Sequence, residues 1–167
     1  KSEYLELAKL GIDFICKNGQ DQKGRVYFSL TRDGKPYFYQ RKPYAAVFYV
    51  LALIEYSKAT GRQQYLDQAE KVFWDIVDWI KDPSLLDRPS MSGSARMSNL
   101  ADIMVLASMA IEFAHIECKQ DYLDIMKQAM DGVKLHCDEK NSILIENVPV
   151  DSTDFSNWPE VRLFNPG

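Results

Sequence analysis

Hydrophobic and polar positions along this chain follow two periods, one of strands and one of helices. Residues 26–30 and 36–40 are short aromatic and β-branched runs, and Thr31-Arg32-Asp33-Gly34 between them supplies a turn in which Gly34 can take a positive φ. The pattern predicts a β-hairpin. Pro43 then opens a helix with its φ preset, Ala45 to Tyr56 is apolar on nearly every face, and Gly61 closes it. Such a helix is expected to be buried all round. Elsewhere the period is that of an amphipathic helix. Tyr4, Leu7, Ala8, Leu10, Gly11, Phe14 and Ile15 share one side, as do Tyr65, Ala69, Val72, Phe73, Ile76 and Ile80.

A Tyr-Leu pair followed by an acid recurs as Tyr4-Leu5-Glu6, Tyr65-Leu66-Asp67 and Tyr122-Leu123-Asp124, 61 and 57 residues apart, each time near the start of an amphipathic helix. Between these outer helices lie more uniformly apolar inner ones, at 43–60 and 98–115. The alternation predicts an all-α fold of αα-hairpins, each burying its neighbour's apolar face, with a toroid as the natural closed form and one short β-hairpin in a loop. Inner-to-outer connections are short. Outer-to-inner connections at 18–42, 81–97 and 138–167 are long and chemically varied, so they are expected to share one face and to carry function. Ile143-Leu144-Ile145 predicts a strand within the last of them. The outer helix at 120–136 has no inner helix after it, so residues 1–167 read as a single segment of a larger domain, cut short at the C-terminal end.

Composition narrows the function classes. A chain of 167 residues with 46% hydrophobic and 12% aromatic content supports one globular core. The net charge of -4, with Lys and Arg interspersed among acids, argues against nucleic-acid and membrane partners. No apolar stretch reaches a bilayer span and residues 1–3 begin an amphipathic helix, so a soluble cytoplasmic protein is expected. Cys16, Cys118 and Cys137 are odd in number, scattered and set in apolar helical surroundings, which predicts buried free thiols rather than a disulfide framework or a metal cluster. Met91, Met97, Met104 and Met109 read as core fillers, and the hairpin aromatics as cross-strand packing. Asp102 is the one acid in the apolar middle of its helix, so it either meets a buried partner or faces a cavity. His115 and His136 fall near helix C-termini, where the dipole favours imidazolium, and neither is assigned a catalytic role.

The residues Leu30-Thr31-Arg32-Asp33-Gly34-Lys35-Pro36, Gln40-Arg41, Ala59-Thr60-Gly61, Arg88-Pro89 with Gly93, Glu146-Asn147-Val148, and Arg162 with Asn165-Pro166-Gly167 occur in an order that resembles the N-acylglucosamine 2-epimerase (renin-binding protein) family. The resemblance covers almost the whole chain and implies a middle portion of an (α/α)6 barrel, beginning after the family's early active-site arginine. Val161 stands where the family usually has glycine. The implied activity is interconversion of N-acetylglucosamine and N-acetylmannosamine, with an amino-sugar substrate, no cofactor or metal required by the chemistry, and room for a nucleotide effector and a homodimer. In the family a histidine directly after Asn-Pro-Gly and a second one much later act as acid and base, so no catalytic residue is expected within this chain. Inversion at C2 also needs fixed donors for an enediolate oxygen, for which Arg41 and Arg162 are the candidates. Asp102 is the candidate for a substrate-facing polar group on an inner helix, and Asn165 for a helix cap with a secondary substrate contact. Related sugar epimerases or isomerases of the mannose or cellobiose type, and a non-catalytic interaction module, are the alternatives.

Overall fold

The computed structural model describes residues 2–39, 42–87 and 96–150, in an all-α fold with small antiparallel strand pairs. The chain divides into two compact units, residues 1–89 and 90–167. In the first, helix α1 (Ser2–Asn18) is followed by strands β1 (Ser29–Leu30) and β2 (Pro36–Phe38), helices α2 (Tyr44–Thr60) and α3 (Gln63–Lys81), and a 3-10 turn at Pro83–Leu86. The core is the seam between α2 and α3, where Val50, Leu53 and Ile54 meet the level of Ala69, Phe73 and Ile76, all fully buried. Each large side chain buried there contributes roughly 1.5–3 kcal/mol. The corner between the helices is short because Gly61 adopts φ 69° and donates its N–H to Ser57 O at 2.8 Å, a conformation costly for a residue with Cβ. Tyr56 and Tyr65 meet edge to face at this corner, centroids 5.0 Å apart.

Helix α2 departs from the expected all-round burial. Phe48 is 72% exposed, and Glu55 pairs with Lys58 at the surface. The physical reason is that α3 covers one side and α1 covers only part of another. On α1, Ile12 is buried, whereas Tyr4, Leu7 and Leu10 of the expected apolar side are exposed. A groove of about 580 Å³, lined by Leu5, Ala8, Ile12, Ala52 and Tyr56, runs between α1 and α2.

The hairpin forms, but its strands are shorter than expected. Ser29 pairs with Phe38 and Leu30 with Pro36, and Gly34 turns the chain at φ 81°, where a Cβ would also lie 2.6 Å from the Asn18 side chain. Val26 instead pairs back with Gln20, because the carboxylate of Asp21 accepts the N–H groups of Lys23 and Arg25 and folds residues 20–26 into a turn. The aromatics pack across the strands as expected, Phe28 with Phe38 at 5.8 Å and Tyr27 with Tyr39 at 4.6 Å.

The second unit runs β3 (Met97–Asn99), α4 (Leu100–Ile116), α5 (Gln120–Leu135), β4 (Cys137–Asp138), β5 (Ile143–Leu144) and β6 (Asn147–Pro149). Met109, Ala110 and Phe113 of α4 and Tyr122, Ile125 and Ala129 of α5 are buried, with the Phe113 and Tyr122 rings stacked at 5.2 Å. Strand β3 pairs antiparallel with β6, and β4 with β5. The strand expected at 143–145 is therefore present as β5, with Ile145 buried beside Val148. Local sequence carried no signal for the partnership of β3 with β6.

Two expectations about sulfur side chains fail. Cys118 and Cys137 are exposed and Cys16 is half-buried, because the first two lie at or just beyond helix ends, where the chain is no longer packed on both sides. Met109 fills the core, whereas Met104 is exposed on α4, and Met91 lies outside the described residues.

Two outcomes follow from this packing. Phe73→Ala removes a fully buried ring from the α2–α3 seam and is expected to cost about 3–5 kcal/mol in denaturant unfolding. Burial raises the Cys16 thiol pKa, with a smaller opposing effect from the Tyr49 hydrogen bond, so mass-resolved alkylation at neutral pH should modify Cys118 and Cys137 well before Cys16.

Candidate functional site

In the first unit the polar residues of two long loops converge. The outer-to-inner loop after α1 brings Asp21, Lys23 and Arg25 to the loop after α3, where Asp87 takes φ 55°, a left-handed conformation that Asp tolerates better than most residues. Arg25 donates from Nε to Asp21 at 2.7 Å and from its terminal nitrogen to Asp87, while Lys23 reaches Asp87 at 3.3 Å. The Tyr39 hydroxyl donates to Asp21 at 2.9 Å, and the Arg25 guanidinium lies 5.2 Å from the centroid of the Tyr39 ring. These two loops therefore do share one face of their unit. Beside the cluster a cleft of about 330 Å³ is lined by Arg25, Tyr39, Lys42, Trp79 and Asp87.

The electrostatics of this cluster suit holding and orienting rather than proton transfer. Burial pushes the Asp21 carboxyl up, but hydrogen bonds from the Arg25 side chain and backbone, from Tyr39 and from the Lys23 backbone outweigh it and hold the group below the usual carboxylate range. Hydrogen bonds from Lys23 and Arg25 lower Asp87 as well. Tyr39 is driven upward by burial, then by its hydrogen bonds with Tyr27 and Asp21. Acids pushed down and a phenol pushed up are poorly matched to a general acid or base at neutral pH.

In the second unit the root of α4 is the organised polar element. Asn99 caps the helix, its Oδ1 accepting from Ala101 N at 3.1 Å and Asp102 N at 3.3 Å, and its Nδ2 donates to Asn147 Oδ1 at 2.6 Å across the β3–β6 pair. Asp102 is thus half-buried in the first turn of α4, not in the helix middle. The helix starts at Leu100, later than its apolar run implies, because Ser98 and Asn99 are held in β3. A carboxylate in a first turn is favoured by the positive end of the helix dipole.

His136 lies at the C-terminal end of α5, as its sequence position suggests. It is fully buried there, with Nδ1 2.6 Å from Ile145 O and Nε2 2.9 Å from Ser98 Oγ. His115, by contrast, is exposed. Of the four expected substrate-binding residues, Arg41, Arg162 and Asn165 lie outside the described residues, and Asp102 alone is placed. The Asp21–Arg25–Asp87 cluster and the Ser98–His136 pair were not anticipated. The Asp-x-Lys-Gly-Arg spacing at 21–25 carries a turn signal, but pairings with residues more than sixty and nearly forty positions away left no mark in the local pattern. Among the described residues, no helix is long and apolar enough to cross a membrane, and no three potential metal ligands come together.

No protein-family model matches the chain. It is similar over nearly its whole length to N-acylglucosamine 2-epimerases: 29% identical to the Bos taurus protein over 174 residues, covering 100% of this chain and 40% of that one. The Mus musculus protein is 27% identical over 157 residues, covering 91% of this chain and 38% of its own length. The Homo sapiens protein is 28% identical over 152 residues, covering 88% and 36%. The chain thus spans about two fifths of the length of these relatives, each of which is named as an epimerase.

The ionic cluster makes stability depend on pH in a defined direction. Asp21 and Asp87 have lowered pKa values in the folded state, so their contribution is full above the unfolded carboxylate value of about 3.9 and is lost as pH falls through the lower folded values. Asp21→Asn should destabilise the protein by about 1–3 kcal/mol at pH 7, and the gap between its melting curve and that of the unsubstituted protein should close below about pH 4.

Proposed function

We propose that this chain forms part of a carbohydrate 2-epimerase that interconverts N-acetylglucosamine and N-acetylmannosamine. The observation that carries the reading is similarity along almost the whole chain to relatives that all bear the name N-acylglucosamine 2-epimerase. The succession of helical hairpins α2–α3 and α4–α5 supports it, since such hairpins are the units from which an (α/α)6 barrel is assembled.

Inversion at C2 requires the sugar ring to open, the proton α to the C1 carbonyl to leave, and a proton to return from the opposite face. Two groups titrating near neutrality must flank that carbon, a role suited to a pair of histidines supplied by the rest of the protein. Arg41 and Arg162 stabilise the enediolate oxygen, because a fixed guanidinium is worth most where negative charge develops in the transition state. Asp102 accepts a hydrogen bond from a sugar hydroxyl, and Asn165 supports the neighbouring loop as a helix cap. Protons are removed and returned with no net redox change, so the chemistry requires no cofactor, and a bound nucleotide would act as an effector. The working protein in this reading is a cytoplasmic homodimer.

The test is solvent exchange with the whole protein in deuterium oxide. N-acetylmannosamine is expected to acquire deuterium at C2 as N-acetylglucosamine appears, and a folded protein that leaves C2 unlabelled would overturn the reading. Faster turnover of mannose or cellobiose than of the acetamido sugars would reassign the substrate within the same chemistry. Saturable binding of a protein without turnover of any sugar would favour an interaction module.

A further inference from the structure

We infer that His136 is a positioning residue for the substrate-binding end of α4, acting through Ser98. The functional half of this inference rests on the epimerase reading given above. His136 is fully buried, and its main chain and side chain both engage Ile145: Ile145 N donates to His136 O at 2.8 Å, and the ring Nδ1 lies 2.6 Å from Ile145 O. A carbonyl oxygen can only accept, so Nδ1 carries the ring proton. In the neutral ring Nε2 is then the acceptor for the Ser98 hydroxyl at 2.9 Å. The ring therefore joins the end of α5 and the β5 side of the loop to strand β3 by two directed hydrogen bonds.

Strand β3 is the part of the second unit whose position sets the start of α4. Ser98 stands opposite the fully buried Val148, and the next residue, Asn99, both grips Asn147 and caps the helix through Ala101 N and Asp102 N. Leu100 N donates to Glu146 O at 2.8 Å and Val150 N to Arg96 O at 2.9 Å, closing the same strand pair at both ends. A shift of Ser98 moves the cap, and a shift of the cap moves Asp102. The path from His136 to Asp102 runs through Ser98 and Asn99, so its effect on the sugar is exerted through the placement of the helix start.

Ser98→Ala deletes the acceptor's partner with minimal change of shape, and Ser98→Thr keeps the hydroxyl on a residue type suited to a strand. In the whole protein, Ser98→Ala is expected to lower amide exchange protection at Leu100 and Val150 by about tenfold, and to raise KM for the amino sugar by a similar factor with kcat little changed. Ser98→Thr should restore both. Unchanged protection in Ser98→Ala would show that the pair holds nothing. Reduced protection with an unchanged KM would reduce His136 to a purely structural role and overturn the inference while leaving the epimerase reading intact. An unsubstituted protein that turns over no sugar would instead overturn the epimerase reading and the functional half with it. Histidine side-chain nitrogen resonances add a readout independent of activity: a neutral Nδ1–H tautomer at His136 is expected, and an Nε2–H tautomer would overturn the assignment.

Discussion

Burial of one apolar seam per helix pair is the constraint on which each unit depends. In the first unit Leu53 and Ile54 of α2 and Phe73 and Ile76 of α3 are removed from water together, and in the second Phe113 of α4 stacks on Tyr122 of α5. Neither helix of such a pair carries enough backbone hydrogen bonding to compensate for the conformational entropy of ordering it, so the helices persist because their faces meet. The meeting in turn requires short corners. Gly61 in the left-handed region makes one, and residues 117–119 make the other, with Glu117 N donating to Phe113 O and Lys119 N to Glu117 O.

Once the short corners hold the helices, the long connections at the opposite helix ends are free to carry polar chemistry. Their residues are nevertheless not loose. Arg25 is shared between carboxylates in two loops, and His136 is shared between a strand residue and a loop carbonyl. Among the described residues no buried side-chain nitrogen or oxygen lacks a hydrogen-bond partner, as must hold where solvent cannot supply one. The cluster around Arg25 has its acids shifted down and its tyrosine shifted up, a state in which groups orient and bind but do not exchange protons near neutrality.

The candidate site was legible only where its chemistry is local. Asp102 announced itself as an acid in an apolar run, but the run overstated the helix: β3 holds Ser98 and Asn99 extended, so Asp102 belongs to the first turn. His136 looked like an ordinary helix-end histidine, because nothing adjacent to it in sequence shows that Ser98 lies against its ring. Asp21 had no reading of its own in the sequence, and its ion pair with Arg25 continues to Asp87 in a second loop.

By itself the sequence determined the order of the α-helices among the described residues, the hairpin turn at Gly34, the corner at Gly61 and the resemblance to 2-epimerases, since each of these is written in spacings of a few residues or in an ordered set of motifs. Only the tertiary structure decided that β3 pairs with β6, that Phe48 and the apolar side of α1 are exposed in this chain, that Cys118 and Cys137 face solvent, and that His136 is buried. The physical reason is that burial and long-range pairing depend on which surfaces meet in space. A periodic pattern states which face of a helix is apolar, but not what covers it.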